Sequence, residues 1–223
     1  MRGRTVPTGE VPAALRFRAF QQKMQLRQLF AARAVAAIPH VSTAGWVPLG
    51  PAPLASDAGT GQNYGSVSGR ATAVAIDPAD ATGNTVYIGG AHGGVWRSKN
   101  AGPLSAGAAS VVVDSVLDYE STLAVGSIAI QPSGNTDTTK GVILVGTGEP
   151  NSSGDSYYGL GILRSADGGA TWTAITQDAG GAHSFAGLGF SKIAFSTANP
   201  QLVVAATAAA TQGFVLGLES RSR

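Results

Sequence analysis

The sequence predicts an all-β chain of repeated four-stranded antiparallel units, preceded by a short N-terminal helix. Three observations lead there. From Trp46 onward, short apolar runs alternate with Gly, Pro, Asn and Asp, the pattern of many short strands joined by tight turns. The chain also repeats itself: Ala73-Val74-Ala75-Ile76-Asp77-Pro78 returns as Ser127-Ile128-Ala129-Ile130-Gln131-Pro132, and again as Lys192-Ile193-Ala194-Phe195 ahead of Asn199-Pro200. Finally, Gly161–Thr173 specifies a β-hairpin by itself. Ile162–Ser165 supply one strand, Asp167-Gly168-Gly169 accept positive φ, and Thr171-Trp172-Thr173 restart a β-branched and aromatic strand.

Residues 1–45 form a basic leader. Arg2, Arg4, Arg16, Arg18, Lys23, Arg27 and Arg33 face a single Glu10 before position 34. Within residues 13–37, Leu15, Phe17, Phe20, Met24, Leu26, Leu29 and Phe30 partly fit one helical face, and Pro39 stops the run. This amphipathic helix could lie on a membrane surface or a partner, or be a solvated leader without a role.

Residues 46–223 carry the repeats. Gly45-Trp46-Val47-Pro48-Leu49 resembles Thr171–Ile175, so residues 46–50 read as an orphan fourth strand. The first unit, 66–118, places strands near 72–76, 86–90, 94–98 and 110–116. The second, 123–177, places them near 127–131, 142–146, 162–165 and 171–175. The partial third, 188–223, offers Lys192–Phe195 and Leu202–Ala206. Four antiparallel strands at a period of about 50 residues describe a propeller blade. The fold class is therefore a partial β-propeller, about two complete blades plus half a third. Propellers close with ~4–8 blades, so the expected object is the N-terminal portion of a larger ring.

Ser165-x-Asp167-x-Gly169-x-Thr171-Trp172 resembles the Asp-box, or BNR repeat, of sialidase-like β-propellers in all five fixed positions. Ser98-Lys99-Asn100-Ala101-Gly102 is a degenerate copy with Asn for Asp and no Thr-Trp. The resemblance covers about residues 46–210. It implies a turn between the third and fourth strands that shapes the fold and performs no chemistry, and an extracellular or periplasmic location. No signal peptide is read in the chain: Leu29–Ile38 is broken by Arg33 and lies too far from the start. Sialidases need an arginine cluster and an Arg-Ile-Pro segment, which this chain lacks. Arg70 opens the first unit, while Arg97 and Arg164 recur at matching third-strand positions and read as structural.

Strand alternation fixes where a ligand would sit. The 1–2 and 3–4 turns share one end of a blade, and the 2–3 turns and the crossovers share the other. That second end carries Thr147–Gly159, Ala91-His92-Gly93 and the crossover 178–187. The long loop is the candidate binding element. Glu149 and Asp155 can accept from sugar hydroxyls or hold a hard cation, and Tyr157 or Tyr158 can stack on a pyranose ring. The alternative is solvated acids and tyrosines that cap the blade. His92 and His183 fall on the same face without zinc-ligand spacing.

Composition sets the remaining bounds. The 223 residues include 31 Gly and no Cys, which excludes disulfides and cysteine metal sites, and only 13% are charged. No basic patch follows the leader, so nucleic-acid binding is not expected. No apolar run reaches the ~18–20 residues of a membrane span. The expected function is a non-catalytic, secreted-type repeat domain that binds a glycan or protein through the 2–3 loop face, with no cofactor and no metal. Alternatives are a glycoside hydrolase of xyloglucanase type with blades missing, and a truncated gene product without independent function. The missing blades, or self-association, would have to cover the open sheet faces.

Overall fold

A computed structural model describes residues 13–34, 54–55, 66–67, 69–102, 111–132, 137–151 and 156–209. The expected strand at 46–50 and the end of the third unit beyond Ala209 lie outside these residues. Among the described residues one α-helix, α1 (Ala13–Ala34), precedes twelve strands, all paired antiparallel, with a single 3-10 turn at Thr138–Lys140. Phe17, Phe20 and Met24 are its partly shielded residues, at the i, i+3, i+7 spacing of one face, and Leu26 is exposed. No described helix is long and apolar enough to cross a membrane.

Strands β1 (Leu54–Ala55) and β2 (Ser66–Val67) form a small pair. Sheet I is a meander of β3 (Ala71–Ile76), β4 (Val86–Gly90), β5 (Val95–Ser98) and β6 (Val113–Leu117), in chain order. Sheet II repeats it with β7 (Val125–Ile130), β8 (Ile143–Thr147), β9 (Ile162–Ser165) and β10 (Thr173–Ile175). Sheet III pairs β11 (Leu188–Phe195) with β12 (Val203–Ala209). The predicted strands are present with boundaries moved by a few residues. The first strand of the third unit starts earlier than expected, at Leu188.

The sheets pack face to face in chain order, with β7 lying against both β3 and β11. Period-2 alternation sorts the residues of the middle sheet. Ile143 and Val145 join Tyr87, Val95 and Leu117 in the core between sheets I and II. Leu144 and Ala129 join Phe190 and Ile193 in the core between sheets II and III. Covered on both faces, β8 is buried at every position, whereas β3 leaves Val74 and Ile76 exposed.

A bulge recurs at one place in all three first strands, between Ala71 and Ala73, Val125 and Ser127, and Phe190 and Lys192. The extra residue puts positions three apart on one face. Val125 and Ile128 therefore both point at sheet I, and Phe190 and Ile193 both point at sheet II. Each pair enters a notch made by a missing side chain. A Cβ on Gly89 would stand 2.5 Å from Val125 Cγ1, and one on Gly146 would stand 2.4 Å from Phe190 Cβ. The two sheet-to-sheet joints are thus built from equivalent residues.

Hydrogen bonds reinforce both joints. Thr72, in the first bulge, donates its hydroxyl to Val125 O (2.6 Å) and lies 3.2 Å from Gly89 O. Across the second joint, Ile193 N donates to Ser127 Oγ (2.9 Å).

Candidate functional site

The Ser165–Trp172 turn lies between β9 and β10. Asp167 Oδ1 accepts from Ser165 Oγ (2.7 Å) and Thr171 N (2.9 Å), and Oδ2 accepts from Thr171 Oγ1 (2.6 Å). Gly169 N donates to Ser165 Oγ at 2.8 Å. With Thr171 first among its donors, the Asp167 carboxyl is held at about 2, below the ordinary 3.8. Gly168 and Gly169 have φ of 64° and 91°, the left-handed conformation this turn needs. The Asn100 turn of sheet I works the same way: Asn100 Oδ1 accepts from Ser98 Oγ (3.1 Å) and Val112 N (2.9 Å).

The turn also docks on the preceding sheet. Tyr87 Oη and Arg97 Nη1 each donate to Gly168 O at 2.9 Å, and Trp172 Nε1 donates to Val116 O at 2.9 Å. Trp172 packs against the core between sheets I and II, reaching beyond its own turn. The side chains of Ser165, Asp167, Thr171 and Trp172 and the amide of Gly169 are all engaged in structural hydrogen bonds.

At the opposite end, the loops after β4 and β8 meet the crossover from β6 to β7. They enclose a cleft of about 360 Å³ lined by His92, Glu120, Ser121, Thr122, Leu123, Ala124 and Tyr157. His92 and Tyr157 meet edge to face, ring centroids 5.0 Å apart. Tyr157 keeps 37% of its surface exposed. Burial raises the Glu120 carboxyl above its ordinary 4.5, against a smaller opposing pull from the Ser121 amide. Hydroxyls, one carboxyl and two aromatic rings make this an amphipathic recess.

The other candidates separate from the cleft. Glu149 is fully buried; its Oε2 accepts from Arg70 Nη2 at 2.8 Å and its Oε1 from Asn151 Nδ2 at 2.7 Å. Arg70 immediately precedes β3 and Glu149 lies in the loop that follows β8, so the pair ties sheet I to the loop end of sheet II. Tyr158 is buried at 5% exposure and does not line the cleft. His183 is exposed and pairs with Asp178, Nδ1 to Oδ2 2.7 Å, within the β10–β11 crossover. That contact, foremost among several, lowers the Asp178 carboxyl. Asp155 lies outside the described residues.

Sequence reasoning missed Glu120 and its neighbours. The available signal is the alternation rule itself, which places every crossover, 118–124 as well as 178–187, at the loop end. A second, smaller cleft of about 240 Å³ runs between Phe17, Arg18 and Gln21 of α1 and Leu160 before β9, Thr176 after β10 and Ser184 of the β10–β11 crossover. Among the described residues, no group of three or more His, Cys, Asp or Glu could hold a metal ion. Comparison of the chain with protein-family models and with curated proteins gives no match.

Proposed function

We propose that the chain is part of an extracellular or periplasmic β-propeller of the Asp-box repeat type, and that its loop end binds a glycan without chemical turnover. The propeller reading is supported by two successive meanders that join through equivalent glycines and equivalent bulges. The structural role of the box is supported by Asn100, whose uncharged amide oxygen likewise accepts from a serine hydroxyl and a downstream backbone amide.

One observation carries the binding reading: the 360 Å³ cleft sets the exposed Tyr157 ring beside the Glu120 carboxyl and the Ser121 and Thr122 hydroxyls. A pyranose presents an apolar face and a rim of hydroxyls, so an aromatic ring next to polar acceptors matches both. Glu149 stands apart from such a role, because Arg70 and Asn151 occupy its oxygens inside the protein.

Glycoside hydrolysis of the xyloglucanase type is the second reading, favoured by the raised Glu120 carboxyl, which suits a general acid. It requires a partner carboxylate ~5–10 Å away, and Glu120 is the single carboxylate among the described lining residues. A titration with soluble β-glucan oligosaccharides separates the readings. Binding weakened at least about tenfold by Tyr157→Ala, with no reducing ends released, supports a binding module. Hydrolysis abolished by Glu120→Gln refutes it.

A further inference from the structure

The joints between sheets have polarity, and among the described residues one half of each kind is left exposed, on β3 and on β12. In the first joint, β7 presses Val125 and Ile128 onto Gly89 of sheet I. In the second, β11 presses Phe190 and Ile193 onto Gly146 of sheet II. Registers define the equivalents. Ser127 pairs with Gly146 and Lys192 pairs with Ala206, as Ala73 pairs with Gly89, so Ala206 holds the notch position on sheet III. The presenting residues equivalent to Val125 and Ile128 are Ala71 and Val74 on β3. Both halves face outward: Val74, Ile76 and Val204 are 63%, 61% and 66% exposed.

We infer that a second copy of the chain docks head to tail on this one, laying Val74 and Ile76 of its β3 over Val204 and Ala206 of sheet III. The contact continues an interface that the molecule already makes twice. Its volumes also match. The two internal notches pair a glycine with a large residue, Val125 or Phe190, whereas the outer pair sets Ala206 against the small Ala71. Bulk lost on one side is regained on the other.

The polar contact is equally prepared. Ser191 occupies the bulge of β11 as Thr72 does that of β3, and its Oγ lies 3.2 Å from Ala206 O, just as Thr72 Oγ1 lies 3.2 Å from Gly89 O. Thr72 also reaches Val125 O across the first joint. Ser191 is exposed and set to reach Ala71 O of the incoming copy in the same way. Lys192 is the one departure. It places a cation where the earlier joints have Ala73 and Ser127, and such a charge weakens edge and face association. Because unlike faces meet, the assembly is heterologous: it forms rings where the rotation closes and chains where it does not.

Sedimentation velocity of the full chain over a concentration series tests this, with Val74→Glu and Ala206→Trp each blocking one face. Both substitutions are at outward-facing positions, and far-ultraviolet circular dichroism reports whether the fold is retained. The wild type is expected to gain mass with concentration, each variant alone to stay monomeric, and an equimolar mixture of the two to stop at a dimer. Lys192→Ser is expected to strengthen association at least about threefold. A wild type that stays monomeric at every concentration, its faces left to solvent or to other segments of chain, overturns the inference. So does association that survives both substitutions, or a mixture that stays monomeric.

Discussion

Replacing Asp167 probes the turn that locks sheet II onto sheet I. Its carboxylate accepts three hydrogen bonds, and its pKa falls from 3.8 to about 2. At ~1.4 kcal/mol per pKa unit, that difference corresponds to ~2.4 kcal/mol of preference for the charged form in the folded state. Thr171 is exposed and solvent screens part of this, so about 1–2 kcal/mol remains. The contribution from a depressed carboxyl is present above the unfolded pKa and disappears as the pH falls through the folded value. Asp167→Ala should therefore cost about 1–3 kcal/mol at neutral pH, and the deficit should shrink between about pH 4 and pH 2. Asp167→Asn should cost less than about 1 kcal/mol, because Asn100 already makes the Ser hydroxyl and downstream amide contacts with an amide oxygen. Urea denaturation followed by tryptophan fluorescence reads all three proteins across pH. An alanine variant as stable as the wild type would show that the carboxylate does not hold the turn, as would an asparagine variant as damaged as the alanine one.

Further outcomes follow from the joints and the cleft. Arg70→Ala strands the fully buried Glu149 with Asn151 as its remaining side-chain donor and should cost about 2–4 kcal/mol in a thermal melt; a change below about 0.5 kcal/mol contradicts the ion-pair assignment. Gly146→Ala drives a methyl group to 2.4 Å from Phe190 and should cost about 1–3 kcal/mol, with sheet III losing amide protection before sheet I. Uniform loss of protection argues against a discrete joint. Glu120 works with the opposite sign to Asp167. Its raised pKa contributes stability that is complete below its ordinary 4.5 and is lost as the pH rises through the folded value. Glu120→Gln should therefore gain on the wild type as the pH climbs above about 4.5, while parallel stability–pH curves would contradict its burial.

The sequence made the strands of the two meanders legible because each is a short apolar run bounded by turn residues. The Asp167 turn was legible down to its donors, since Ser165 and Thr171 lie within four residues of the carboxylate. What remained hidden depends on distant partners. Glu149 read as a free loop acid because Arg70, which neutralises it, lies 79 residues earlier. Trp172 is legible as a motif and strand residue, but the partner of its indole, the Val116 carbonyl 56 residues earlier on the preceding sheet, is not. The bulges at Thr72, Gly126 and Ser191 left no periodicity signal, although they decide which residues face the next sheet. Gly89 and Gly146 read as strand ends, and their use as notches appears only when the following sheet is in place.

The central claim is that the loop end binds a glycan and leaves it intact. The most direct measurement is an amide-resolved nuclear magnetic resonance titration with β-glucan oligosaccharides, with the sugar analysed for cleavage at its end. Glycan binding at this end should give saturable shifts centred on His92, Glu120–Ala124 and Tyr157, absent in Tyr157→Ala, with the sugar recovered whole. Shifts centred elsewhere, the absence of saturable shifts at millimolar sugar, or shortened oligosaccharides in the recovered sample would contradict it.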